Sequence, residues 1–227
     1  MGLLTVNNTK IIKSQQRGYR TWILHLLPGN LSGDEVCVKR SPACSETCLN
    51  FAGRGKMKTV QAGRLRKTRL YFDNRDAFMK ELRDDIRRAQ LTALREDLIP
   101  CIRLNGTSDI PWEKVRYEGE NVFESFPTLQ FYDYTKIVGR KTAAHKNYHL
   151  TFSRSENNDR DVAKALAQGI NIAVVFDTLP ETYLNRSVIS GDQDDLRFLD
   201  PANVVVGLSA KGRARRDTSG FVVRIAA

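Results

Sequence analysis

The feature that most constrains the fold is an alternation of short apolar runs with amphipathic ones. Thr21–Leu27, Ile99–Leu104, Thr128–Tyr134, Tyr148–Ser153, Ile170–Phe176 and Val204–Leu208 read as strands. Helical patterns separate most of them. The clearest runs from Asp76 to Arg95, where Phe78, Leu82, Ile86, Ala89 and Ala93 recur at steps of three and four. A second helix is expected over Lys58–Leu70, and a helical stretch over Trp112–Phe126 interrupted by Gly119. A third helix, 159–168, ends at Gly169. Strands alternating with helices imply a parallel sheet. The expectation is therefore a single α/β domain over residues 1–227, built as a six-stranded parallel (β/α)6 partial barrel of TIM-barrel type. Residues 1–18 would form an arm or a short edge strand.

Polar residues gather at the carboxyl ends of these strands: the cysteine loop 28–55, Asn105/Thr107/Ser108/Asp109, Asp133/Lys136, Ser153/Arg154, Asp177 and Lys211. In open α/β sheets and β/α barrels alike, ligands sit at that end.

Three of the four cysteines, Cys37, Cys44 and Cys48, fall within twelve residues after the first strand. Ser41-Pro42 reads as an N-cap followed by proline at the first helical position. Cys44 and Cys48 would then be i and i+4 on one helical face, with Cys37 closing over it. Three thiols could hold a metal or a cluster with one position open, whereas a structural zinc would want four ligands. The plainer alternatives are buried thiols, or a zinc site completed by His25 or another distant residue. Cys101 lies about 13 Å below the rim at ~3.3 Å per residue and is expected to be a core thiol. Arg103, on the same side as Cys101, would enter the barrel and need an anion: a carboxylate such as Asp133, or a substrate group. His25, in an apolar strand, reads as a core histidine. Asp192, Asp194 and Asp195 read as a solvated acidic turn in preference to a divalent-metal loop.

A net charge of +10 and a pI near 9.6 point to an anionic partner, a small molecule or nucleic acid. Seven basic residues and no acidic one lie between Arg54 and Phe72, among them Arg64, Arg66 and Lys67. Lys211–Arg216 is a second basic cluster. No apolar run is long enough to span a bilayer and no export signal is expected. Clustered cysteines in a chain of this size favour a reducing, cytoplasmic setting. No Gly-x-Ser-x-Gly elbow and no phosphate loop occur.

A β/α partial barrel with three cysteines after its first strand resembles the radical S-adenosylmethionine superfamily, whose usual CxxxCxxC becomes Cys37-x6-Cys44-x3-Cys48 here. The resemblance implies a [4Fe–4S] cluster on the three cysteines and S-adenosylmethionine bound at Asn105, Gly106, Thr107, Ser108 and Asp109. Ser153 and Asp177 would then lie near ribose and adenine. Asp109, Asp133 and Lys136 are the catalytic candidates. A barrel that exchanges bases by transglycosylation, with Asp109 or Asp133 as nucleophile, is a further reading. Through Arg66-Lys67-Thr68, Arg103–Asp109, Tyr132–Lys136, Phe152–Glu156 and Gly207–Gly212, nearly the whole chain also resembles an uncharacterised group of bacteriophage proteins. That likeness implies a phage protein in the host cytoplasm. It leaves open a non-enzymatic nucleic-acid-binding or host-directed role with the cysteines as a zinc staple.

Overall fold

A computed structural model describes residues 2–6 and 9–225. Met1, Asn7 and Asn8 of the expected arm, and Ala226 and Ala227, lie outside the described residues. The strands are β1 (Leu4–Thr5), β2 (Tyr19–Leu24), β3 (Ile99–Arg103), β4 (Arg116–Tyr117), β5 (Glu120–Asn121), β6 (Gln130–Thr135), β7 (Tyr148–Ser153), β8 (Ile172–Phe176), β9 (Thr182–Tyr183), β10 (Arg186–Ser190), β11 (Val205–Ser209) and β12 (Val222–Val223). The α-helices are α1 (Thr9–Gln15), α2 (Gly29–Ser32), α3 (Pro42–Glu46), α4 (Lys58–Asp73), α5 (Arg75–Arg95), α6 (Val122–Ser125) and α7 (Asp159–Ala167).

The six expected strands are present as β2, β3, β6, β7, β8 and β11, parallel and adjacent in chain order. The six-strand expectation needs correction, because among the described residues the sheet has ten strands and no closed barrel is seen. β1 pairs antiparallel with β2 at one edge, and β10 and β9 extend the other beyond β11. β12 pairs with the carboxyl half of β8 at Val175 and Phe176, where β7 no longer does. These four additions are short or late in the chain, so helix–strand alternation does not announce them.

One face of the sheet is apolar. Trp22, Leu24, Ile102, Leu104 and Phe131 pack with Phe78, Leu82 and Ile86 of α5. Asn74 caps α5 by accepting from the Ala77 amide at 3.0 Å. A second cluster joins Phe152, Ile172, Val174 and Val205 to Val162 and Ala165 of α7. The opposite face is polar and covered by residues 194–200. Tyr132 donates to Thr21 Oγ1 at 3.2 Å, Phe198 packs on Tyr19 and Tyr132, and Leu196 and Arg197 are buried. Asp194 and Asp195 therefore do not form the solvated turn expected of them. They are buried beside Arg17, Arg197 and Arg103.

The expected helical stretch 112–126 is instead a 3-10 turn, a β4–β5 hairpin and the single-turn α6. Glu118 and Gly119 both have positive φ, 53° and 84°, which is the type I′ geometry of a two-residue hairpin and incompatible with helix. Among the described residues no helix is long and apolar enough to cross a membrane.

Candidate functional site: thiols over the carboxyl-terminal rim

The segment 37–56 lies across the carboxyl ends of several strands. Cys37 Sγ donates to the Thr107 carbonyl after β3 at 3.7 Å. Glu156, after β7, accepts from Ser41 Oγ at 2.7 Å and from the Ala43 amide at 3.1 Å. Arg213, after β11, stacks over Phe51 at 4.5 Å. Lys136, after β6, is near enough to the Cys44 sulfur for the two to interact electrostatically. The cysteines thus sit at the rim where α/β folds bind ligands.

Local chemistry shapes the cysteine segment. Ser41 caps α3 by accepting from the Cys44 amide at 3.1 Å, and Pro42 takes the first helical position. The helix ends at Glu46, so Cys44 and Cys48 do not share a helical face at i and i+4 as expected. Thr47 Oγ1 donates back to the Ala43 carbonyl at 2.7 Å, and Ser45 Oγ does the same to Ser41 at 3.0 Å. Such back-bonding competes with helix propagation. Cys48 instead caps the next turn, its sulfur accepting from the Asn50 amide at 3.5 Å.

The three sulfurs still share one electrostatic neighbourhood. Burial pushes the Cys37 thiol up, and the Asp109 carboxylate and the Cys48 and Cys44 sulfurs push the same way. Burial also raises Cys48, opposed by the Asn50 amide. Burial disfavours the Lys136 ammonium, but Cys44, Asp109 and Cys37 together raise its pKa. Burial raises Asp109, against donation from the Lys136 amide at 2.7 Å and from Thr135 Oγ1 at 2.8 Å. Arg64 reaches the same place, donating to Asn50 Oδ1 at 2.5 Å. Cys37, Cys44, Cys48, Asp109, Lys136 and Arg64 are therefore brought together. The donors suit a soft metal centre in kind and number, but not in spacing as they stand. Among the described residues no three Cys, His, Asp or Glu side chains have metal-ligand geometry.

Other expected site residues are engaged elsewhere. Asn105 does not stay on the Arg103 side, because the strand ends at Arg103. Its Oδ1 accepts from Ser108 Oγ, the Ile110 amide and Trp112 Nε1 at 2.9, 2.9 and 3.1 Å. Gly106 fits beneath Ile23 and His25, where a Cβ would come within 2.6 Å of the Ile23 side chain. Thr107 Oγ1 donates to the Leu26 carbonyl. The segment expected to bind a cofactor is thus turned inward. Asp133 is fully buried and accepts from the Asn105 amide at 2.7 Å and from Tyr148 Oη at 3.1 Å. Burial pushes its pKa up to about 7. Arg103 finds its anion in Asp195 at 2.9 Å and not in Asp133, which faces the other side. Burial lowers the Arg103 pKa, but Asp195, Tyr134, Tyr132 and Asp133 together hold it above its ordinary value.

Lys67 is buried under β1 and donates to the Leu3 carbonyl at 2.5 Å, whereas Arg66 is exposed. Asp177 accepts from the Ile225 amide at 3.1 Å, so the end of β8 is occupied by the C-terminal segment. The Ser153 carbonyl accepts from Asn158 Nδ2 at 2.9 Å. Lys211 pairs with Asp192 at 2.5 Å. Cys101 is a core thiol, fully buried, with its pKa raised to about 12 by burial. His25 stands on the polar face; burial and then Arg64 and Arg103 hold its pKa down at about 3. A cavity of about 320 Å³ opens between Val138–Arg140 and Gly169–Asn171, and no cysteine lines it.

Sequence reasoning missed Glu156, Asp195 and the Arg140–Glu113 pair, which closes at 2.5 Å beside Tyr148. Glu156 lay in a motif already noted, Phe152–Glu156. Asp195 lay in an acidic run, and its own arginine partner, Arg103, is distant in sequence.

Fold and site together define a mixed α/β protein with a mostly parallel sheet and three thiols gathered over its carboxyl-terminal rim. No curated protein and no solved structure matches the chain. The chain belongs to the gene product 88 family, whose model matches residues 2–225, in agreement with the bacteriophage likeness of its sequence. The match lends nothing to the radical S-adenosylmethionine likeness.

Proposed function

We propose that this protein is an enzyme whose reaction centre is held by Cys37, Cys44 and Cys48, with an anionic substrate bound beside it. The observation carrying this reading is that three thiols, from a loop, a short helix and the cap of the next turn, share one electrostatic neighbourhood with Lys136 at the carboxyl rim. Cys37 and Cys48 are desolvated there, and a core has no need of three thiols at a strand-end rim. In this reading the Lys136 ammonium would hold a charged group beside the thiols. A metal or iron–sulfur centre would draw the sulfurs closer than they stand, and its binding would release their protons. The S-adenosylmethionine form of this reading is less well supported, because Asn105–Asp109 spends its polar groups on the fold.

The test is iron, zinc and acid-labile sulfide content after anaerobic purification, for the wild type and for C37S, C44S and C48S. Iron and sulfide in similar amounts, lost in each variant, are expected. One zinc per chain and no sulfide would favour the second reading, a zinc-stapled binding protein in a host-directed or nucleic-acid role. Metal-free protein with freely reactive thiols would overturn both.

A further inference from the structure

The two basic clusters, 150 residues apart in sequence, are one surface. Arg213 lies over the Phe51 ring at 4.5 Å, and a Cβ at Gly212 would stand 3.9 Å from Ala52. This contact seats the 3-10 turn Gly212–Arg216 against the turns Leu49–Phe51 and Gly53–Lys56. Arg54, Lys56, Lys58, Arg213, Arg215 and Arg216 are all exposed. None of the six forms an ion pair among the described residues. The acids at the margins are spent: Asp192 on Lys211 and the Ser209 amide, and Asp217 on Ser219 and the Val222 amide. Cys48 is the cap of the first of these turns, so the cations border the thiol rim directly.

We infer that this lip binds the phosphodiester backbone of a nucleic acid and presents it to the thiol rim. Four of the six cations are arginines, whose planar fork matches phosphate oxygens two at a time. They project from 3-10 turns of three to five residues, with Lys58 at the start of α4. Such turns carry no amphipathic helix that could lie in a lipid interface. The lip names the substrate class of the proposed enzyme and rests on that reading for its purpose; the binding itself does not depend on it.

The experiment is fluorescence anisotropy of the full chain with a labelled 20-nucleotide oligonucleotide, single-stranded and as a duplex, across a salt series. With six phosphate contacts on a duplex, affinity should fall roughly 10³-fold between about 50 and 200 mM salt, and the log–log slope should be near −5. R213Q/R215Q/R216Q and R54Q/K56Q/K58Q should each lower that slope by about half, at ~0.9 per lost contact. C37S/C44S/C48S should bind as the wild type does, and both charge variants should keep the wild-type metal content. Failure of the lip is thereby separated from failure of the reaction centre. Absence of binding at the lowest salt, a slope that neither charge variant alters, or displacement by polyglutamate as readily as by unlabelled oligonucleotide would overturn the inference.

Discussion

Two polar regions lie within a few residues of each other at the strand ends, and they are built differently. Under the rim, Asn105, Asp133 and Tyr148 are hydrogen-bonded to one another, and Tyr148 links them to the Arg140–Glu113 pair. One side-chain oxygen of Asn105 takes three donors, and Asp133 takes the Asn105 amide and Tyr148. Above it, Cys37 and Cys48 make single long sulfur contacts, at 3.7 and 3.5 Å, and Asp109, Arg64 and Lys136 supply the nearby charge. Donors and acceptors so closely matched around Asn105 and Asp133 fix the backbone at the strand ends. The thiols keep their bonding capacity. The difference separates residues that make the rim from residues that use it.

The comparison breaks most readily at the polar face of the sheet. Replacing Arg103 by Met should cost about 3–5 kcal/mol, because Asp195 is left buried without its cation. R103M/D195L should recover most of that loss in the same denaturant melts. A loss below ~1 kcal/mol for R103M would show that the polar face is open to water after all. Next in size, N105A leaves Ser108, the Ile110 amide and Trp112 without their acceptor. It should cost about 3 kcal/mol at roughly 1 kcal/mol or more per stranded donor.

Two buried groups beneath the rim respond to pH with opposite sign. Asp133 has a folded pKa of about 7, against roughly 3.9 in an unfolded chain. Between those values the native state keeps a proton that the unfolded state has lost, so this group makes stability fall as pH rises from about 4 to about 7. His25 has a folded pKa of about 3, against roughly 6.5 unfolded. The unfolded state there binds a proton that the native state refuses, so stability falls as pH drops from about 6.5 to about 3. D133N should remove the first slope and H25Q the second. In the wild type the His25 ring proton should show no NMR titration between pH 5 and 8. The smallest expected effect is at the rim: C44S should change stability by no more than ~1 kcal/mol while abolishing any bound metal. A C44S variant that unfolds would place Cys44 with the buried network.

Much of the fold was legible because its signals are local. The 3.6-residue period of α5 and the apolar runs of β2, β3, β6, β7, β8 and β11 needed no tertiary information. What escaped depends on partners far along the chain or on single torsion angles. The type I′ turn at Glu118-Gly119 hides inside a helix-like pattern. The end of α3 at Glu46 is set by hydroxyl groups that also suit helix caps. The burial of Asp194 and Asp195 follows from Arg17, Arg103 and Arg197. At the site, the placement of the cysteines at the carboxyl rim followed from strand order alone. The inward turn of Asn105–Asp109 did not, because leaving the strand at Arg103 changes which side each residue faces.

The central claim is that Cys37, Cys44 and Cys48 can close on one atom. Inorganic arsenite tests it directly, since trivalent arsenic is held by three thiolates at once. Mass spectrometry of the anaerobically reduced protein should show one arsenic atom bound per chain with three protons displaced. That adduct should be lost in C37S, C44S or C48S and unchanged in C101S. An adduct that displaces only two protons, or one that survives any of the three rim substitutions, would contradict the account.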